Sequence, residues 1–167
     1  AYEESPAQII RNMASIGFDL AGWVKKKLLC FHSVRPTLYG LEHHLVIIHK
    51  LTEQFRPDCV VMDPVTNLTS IGDEKEIISM LARVIDYLKQ AGITTVFTNL
   101  TKDGSMIEKT EVGISSLMDT WLLLRQDEAA GDRKRSLYLL KSRGMAHSNA
   151  VREFKLSGKG IQLEGSK

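Results

Sequence analysis

Apolar positions along this chain change period several times, and the changes mark its elements. Ile9, Ile10, Met13 and Ile16 fall at the spacing of one helix face. Ser5 supplies a hydroxyl N-cap, Pro6 the first helical position and Gly17 the stop. A shorter helix is predicted over 20–27, capped by Asp19 and carrying Trp23. Leu41, Leu45, Ile48, Leu51 and Phe55 predict a third helix over 41–55. Ile77, Ile78, Leu81, Val84, Ile85 and Leu88 predict a fourth, the most regular, opened by Asp73 or Glu74 and stopped by Gly92. Four short stretches without helical period read as strands: 28–32, 59–62, 93–99, and a strand end at Tyr2-Glu3-Glu4. Residues 59–62 (Cys, Val, Val, Met) are apolar without alternation, the pattern of a central parallel strand covered on both faces. Strands and helices alternate with short links, which predicts α/β architecture, a parallel sheet flanked by helices.

Beyond Thr101 the pattern changes. Residues 102–113 are polar and contain glycine, as in a mobile surface loop, and 67–73 read as a polar loop as well. Two antiparallel hairpins follow within 118–163. The first joins 121–126 to 136–141 around the charged turn 127–135, and the second joins 152–156 to 160–163. The length of 167 residues predicts one domain over 1–167.

Composition narrows the class. Hydrophobic residues make up 43% and charged residues 25%, ordinary values for a soluble globular protein. No apolar run approaches the roughly 20 residues that span a membrane, and no signal-peptide pattern opens the chain, so a cytoplasmic protein without a membrane partner is expected. A net charge of +2 gives no strongly basic field, and a nucleic-acid partner is not expected. Cys30 and Cys59 sit in apolar runs and read as buried thiols of a reducing compartment.

The candidate chemistry lies at the ends of strands. Asp63 follows the 59–62 run, and Pro64 stops the ladder, so its carboxylate is delivered to the sheet's carboxyl end, where ligands bind in open α/β sheets. An apolar run ending in Asp is the form of a Walker B strand, whose carboxylate holds Mg²⁺ in nucleotide hydrolases; it is also the form of a strand followed by an Asx turn. Glu3 and Glu4 precede a helix N-terminus. There a carboxylate can deprotonate an attacking water or simply complement the helix dipole. Thr98-Asn99 ends the neighbouring strand and places an amide at the same rim, as a phosphate sensor or a helix cap. Lys141 and Arg143 stand two apart at a strand end, on one face, with Gly144 free to turn. The pair suits phosphate or a solvated edge. His147 follows in a polar context, as a contact to a nucleotide base or as plain surface. The histidines and cysteines show no metal-ligand spacing. No Gly-x-x-x-x-Gly-Lys-[Ser/Thr] loop occurs, and the nearest decoy, at 160–167, places its lysine one residue late.

Six segments in order resemble the KaiC family of RecA-like ATPases, the circadian-clock kinase ATPase and its bacterial and archaeal relatives. They are Tyr2-Glu-Glu-Ser-Pro-Ala-Gln8, Leu41-Glu-His-His-Leu45, the Asp63 strand, Phe97-Thr-Asn99, Lys141-Ser-Arg-Gly-Met-Ala-His147 and Arg152-Glu-Phe154. The resemblance implies a RecA-like P-loop NTPase core with C-terminal β-hairpins, binding ATP and Mg²⁺. It implies Glu3 and Glu4 as the paired catalytic glutamates, Glu3 the general base and near the metal, with Asp63 as the Walker B carboxylate. It further implies Lys141, Ser142 and Arg143 reaching ATP on the neighbouring subunit of a hexameric ring, Arg135 as a further nucleotide contact and Ile16 near the adenine. Ser115 and Ser116 align with the autophosphorylated serine and threonine of the clock kinase, and clock-type protein partners are implied too. The family's P-loop and the strand leading into it lie upstream of the glutamate pair. The chain is therefore expected to be the P-loop-distal part of the domain, inactive by itself, with apolar surface uncovered where that strand belongs. The alternative is a non-catalytic oligomerisation or partner-binding module on the same fold.

Overall fold

Capping explains why the most regular helix begins where it does. Asp73 Oδ1 accepts from the Glu76 amide (2.9 Å), and Glu76 Oε2 accepts from the Asp73 amide (3.0 Å), a reciprocal capping box. In the computed structural model, which describes residues 1–100, 114–129 and 132–164, helices α1 (Pro6–Ser15), α2 (Leu20–Lys25), α3 (Leu41–Phe55) and α4 (Glu74–Gln90) accompany six strands. These are β1 (Cys59–Met62), β2 (Thr94–Phe97), β3 (Thr120–Ala129), β4 (Asp132–Ser142), β5 (Arg152–Ser157) and β6 (Gly160–Leu163). The segment expected to be a mobile loop, 102–113, lies outside the described residues.

The chain forms two compact units, the first from Ala1–Gln8 and Lys27–Leu117, the second from Ile9–Lys26 and Met118–Lys167. In the first, β1 and β2 pair in parallel, Cys59 opposite Thr94 through Met62 opposite Phe97. Helix α4 packs on β2 and on α3, and its Ile77, Met80, Leu81, Val84 and Leu88 are fully buried. Among the contacts that join α3 to α4, His49 stacks on Tyr87 with centroids 3.8 Å apart, and Arg83 Nη1 donates to Glu42 Oε2 (3.2 Å). That hydrogen bond holds the Glu42 carboxyl below, and the Arg83 guanidinium above, their usual ranges. Because Leu81 fills the middle of this core, Leu81→Ala is expected to lower stability by about 2–5 kcal/mol, read by urea unfolding. A loss below about 1 kcal/mol contradicts full burial of Leu81.

In the second unit β3, β4, β5 and β6 form an antiparallel sheet in chain order. The turn after α1 lies against the β5–β6 turn. Gly17, at φ +90°, comes so near that an added Cβ would sit 2.4 Å from the Gly158 carbonyl oxygen. Gly160, at φ +86°, faces the Phe18 ring. Both positions need glycine, by backbone conformation and by space.

Several expectations are corrected. Tyr2-Glu3-Glu4 and 28–32 are not strands. They are irregular segments, with bonds from Val34 N–H to the Ala1 carbonyl (3.1 Å) and from the Ser33 hydroxyl to the Glu4 carbonyl (2.9 Å) between the two stretches. Apolar sequence alone does not make a strand without a ladder partner. Strand β1 is covered on one face only: Met62 is buried, whereas Val61 and its partner Val96 are 57% and 45% exposed. Cys30 and Cys59 are both exposed, Cys59 because it shares the open face with Val61. Helix α2 ends at Lys25, and neither α1 nor α2 fully buries a residue. The polar loop expected after Asp63 is a 3₁₀ helix over Val65–Ser70 that buries Val65, Thr66 and Leu68. The first hairpin runs further than expected. Ala129 pairs with Asp132, because alternating charged residues satisfy a two-sided exposed ribbon as readily as a turn.

Candidate functional site

In the first unit the parallel register decides the geometry. Met62 pairs with Phe97, so Asp63 and Thr98 leave the sheet side by side at its carboxyl end. The Thr98 hydroxyl donates to Asp63 Oδ1. Backbone bonds fix both residues: Thr98 N–H to the Met62 carbonyl (3.0 Å) and Val65 N–H to the Thr98 carbonyl (2.9 Å). The next amide, Leu100 N–H, donates to Thr66 Oγ1 (3.0 Å). The Asp63–Pro64 peptide is cis.

The amino-terminal segment is tied to the same rim. Tyr2 N–H donates to the Asp63 carbonyl (2.8 Å), and the Tyr2 ring packs edge-on to the His44 ring, centroids 5.7 Å apart. His44 is itself buried, with Nε2 3.0 Å from the Pro36 carbonyl oxygen. Burial pushes the Tyr2 phenol up to about 12, so it stays neutral and serves as an anchor. Glu3 and Glu4 follow the anchor directly, Glu3 exposed and Glu4 half-buried. The Ser5 and Gln8 side chains cap the start of α1, with the Ser5 amide donating to Gln8 Oε1 (3.0 Å). Tyr2 and Thr98 were not singled out by sequence reasoning. Their only signal was that each neighbours a residue that was.

Asn99 completes this end of the unit. Both of its amide atoms are buried, and neither has a hydrogen-bond partner among the described residues. A buried amide without a partner costs free energy unless a ligand or water satisfies it. Oxygen and amide groups of this kind suit a phosphate-bearing ligand with Mg²⁺, which is held by one or two carboxylates plus substrate oxygens and not by a protein cage. The described residues contain no group of three or more His, Cys, Asp and Glu side chains able to hold a metal. Backbone bonds thus tie Tyr2, the residue before Glu3 and Glu4, to Asp63, and Thr98, the residue before Asn99, to the same strand end of the first unit. Ser115 and Ser116 lie in a 3₁₀ turn, Ile114–Ser116, whose Ile114 is buried; Ser116 is exposed.

The second unit holds the remaining candidates. Lys141 and Ser142 end β4, both half-buried, and the Ser142 and Thr120 hydroxyls are 3.1 Å apart. Arg143 lies beyond the strand, so the expectation that it shares a strand face with Lys141 is corrected. Its amide donates to the Asp119 carbonyl (2.8 Å), and Gly144 turns the chain at φ +70°. His147, exposed, places Nδ1 3.3 Å from the Met145 carbonyl oxygen. Arg135 lies up the strand, lining with Arg133, Lys134, Phe154 and Lys155 an open cleft of about 500 Å³. Ile16 is half-buried at the end of α1. Lys134 pairs with Glu153 (3.1 Å) and Lys155 with Glu164, whose hydrogen bond holds the glutamate low and the lysine high.

Charge divides between the units. The first has 9 Lys and Arg against 13 Asp and Glu, a net of −4, and the second has 13 against 7, a net of +6. No described helix is long and apolar enough to cross a membrane.

A parallel pair backed by helices, a carboxylate at its carboxyl rim and antiparallel strands after it define a RecA-like ATPase core. The family model described as "ATPase: KaiC" matches residues 1–167, and the chain belongs to the KaiC family. It is 51% identical over 165 residues to "Circadian clock protein KaiC2" of Synechocystis sp., covering 98% of this chain and 29% of that protein. It is 36% identical over 168 residues to "Circadian clock oscillator protein KaiC" of Synechococcus elongatus, covering 99% and 32%. The protein of the same name from Thermosynechococcus vestitus is 35% identical, covering 99% and 32%. The chain spans about a third of the length of these relatives.

Proposed function

We propose that this chain is the P-loop-distal part of a KaiC-type ATPase domain, 1–167, that hydrolyses ATP with Mg²⁺ in a ring assembly. The observation that carries the reading is the rim of the first unit, where Asp63 is oriented by Thr98 and the adjoining Asn99 amide is buried without a partner. In this reading Glu3, assisted by Glu4, takes the proton of the attacking water. Asp63 holds the magnesium side of the nucleotide, and Asn99 donates to its terminal phosphate. Bound Mg²⁺ supplies charge neutralisation on the phosphate oxygens. Lys141, Ser142, Arg143 and His147, with Arg135, face the nucleotide of a neighbouring copy, and Ile16 lies near the adenine. The opposite net charges of the two units support head-to-tail contact between copies, the heterologous geometry that closes rings. The exposed Ser116 and its neighbour Ser115 are the phosphoacceptors of an autokinase activity. The relatives' names support a circadian-clock role; clock-type partners and a cytoplasmic location are part of the same proposal.

The sequence of this chain holds no glycine-rich phosphate cradle. Binding of a fluorescent ATP analogue is therefore expected to be at least about tenfold tighter to the complete protein than to this chain alone, since backbone N–H groups and the loop lysine carry much of the phosphate affinity. No binding in either form contradicts the ATPase reading and supports a non-catalytic assembly module.

A further inference from the structure

We propose that Thr98 is a positioning residue for Asp63: its hydroxyl fixes one carboxylate oxygen, Oδ1, and leaves Oδ2 to the metal side of the rim. The inference rests on the reading of Asp63 as the magnesium-side carboxylate. The Thr98 hydroxyl donates directly to Asp63 Oδ1, and the Ala1 amino group is the further charge that acts on this carboxylate. Thr98 is suited to the task because its own backbone is held from both sides by the segment that carries Asp63. Its amide donates to Met62, the residue before Asp63, and its carbonyl accepts from Val65, two residues after it. A β-branched side chain on a clamped backbone has few χ1 choices, so the hydroxyl does not wander from the carboxylate. The Thr66 hydroxyl closes the outer side through the Leu100 amide, and Thr66 is buried. Asp63 and Thr98 are thus locked to one another by two strand ends, and a metal-side carboxylate oriented in this way needs no reorganisation when nucleotide arrives.

The test uses the complete protein with two substitutions. Thr98→Val keeps the shape and the β-branch without the hydroxyl; Thr98→Ser keeps the hydroxyl. Binding of a fluorescent ATP analogue is titrated with Mg²⁺, and kcat and KM for ATP hydrolysis are measured beside it. Thr98→Val is expected to raise the half-saturating Mg²⁺ concentration by about tenfold or more, the scale on which a group orienting a metal ligand acts. Its thermal midpoint stays near wild type, and KM measured at saturating Mg²⁺ returns to the wild-type value. Thr98→Ser is expected to restore most of the Mg²⁺ affinity. A Thr98→Val protein with the wild-type Mg²⁺ requirement overturns the inference, and so does a Thr98→Ser protein as impaired as the valine variant. Asp63→Asn separates the two levels. If it shifts the Mg²⁺ requirement while Thr98→Val does not, only the positioning role fails. If Asp63→Asn leaves the requirement unchanged, the reading of Asp63 fails and the inference falls with it.

Discussion

Replacing both glutamates, Glu3→Gln with Glu4→Gln, in the complete protein is expected to lower kcat for ATP hydrolysis by about 10²–10⁴, the contribution of a positioned general base. ATP affinity is expected to stay within a few-fold, because the exchange is isosteric and backbone bonds help to hold the segment. Tyr2 N–H still reaches the Asp63 carbonyl, and the Ser33 hydroxyl binds the Glu4 backbone and not its side chain. The anchored Tyr2 ring keeps its place against His44. A fall in kcat without a fall in binding therefore reports lost chemistry and not lost structure. The single variants divide the roles. Glu3 is exposed, as a residue meeting an incoming nucleotide and water must be, whereas Glu4 is half-buried with its backbone engaged by Ser33. Glu3→Gln is expected to carry the larger part of the loss. Single-turnover kinetics check this, and a double variant that turns over ATP at the unmutated rate removes Glu3 and Glu4 from the base role.

Local pattern was legible where an element's own periodicity also decided its packing. Helix α4 begins at its capping box and buries the stripe that the spacing of Ile77, Leu81, Val84 and Leu88 announced. The parallel pairing of β1 with β2 was readable as alternation of strand and helix, and the two hairpins as runs separated by turn residues. Misses arose where the outcome depends on what lies opposite. The apolar run 28–32 has the composition of a strand, but a strand is a property of two segments, and Leu28 is left 65% exposed. Residues 67–73 looked polar because Asn67, Thr69, Ser70 and Asp73 outnumber Leu68 and Ile71, yet Leu68 is fully buried, as are Val65 and nearly so Thr66 just before it. For the same reason the site was half legible. Asp63 and Asn99 were visible as polar residues closing apolar strands. The hydrogen bond to Asp63 comes from Thr98, whose place beside it follows from register and not from residue type. Arg143 was assigned to a strand face because i and i+2 share a side, but the strand ends at Ser142, and Gly144 turns the chain immediately after.

That turn sharpens the second large effect. An arginine beyond a strand end, with its amide held by the Asp119 carbonyl, projects from a fixed backbone without being part of the sheet. In the complete protein Arg143→Ala is expected to lower kcat by about 10³–10⁵, the scale on which an arginine supplied to another subunit's phosphoryl group acts. Such a loss alone does not separate an arginine acting within its own subunit from one acting on the next, and subunit mixing does. In a head-to-tail ring each site joins the glutamate-bearing unit of one copy to the arginine-bearing unit of its neighbour. When the Arg143→Ala protein is co-assembled in equal amounts with the Glu3→Gln, Glu4→Gln protein, about a quarter of the interfaces join an intact glutamate pair to an intact arginine. Activity is expected to rise from near zero in either parent to about a quarter of the wild-type rate in the mixed ring, with the salt-dependent recovery that the proposed contact between the −4 and +6 units requires. If the arginine acts within its own subunit, every site contains either a defective base or a defective arginine, and mixing restores nothing. Recovery in the mixture, and its absence when each variant is assembled separately, is thus the result that places Arg143 in trans.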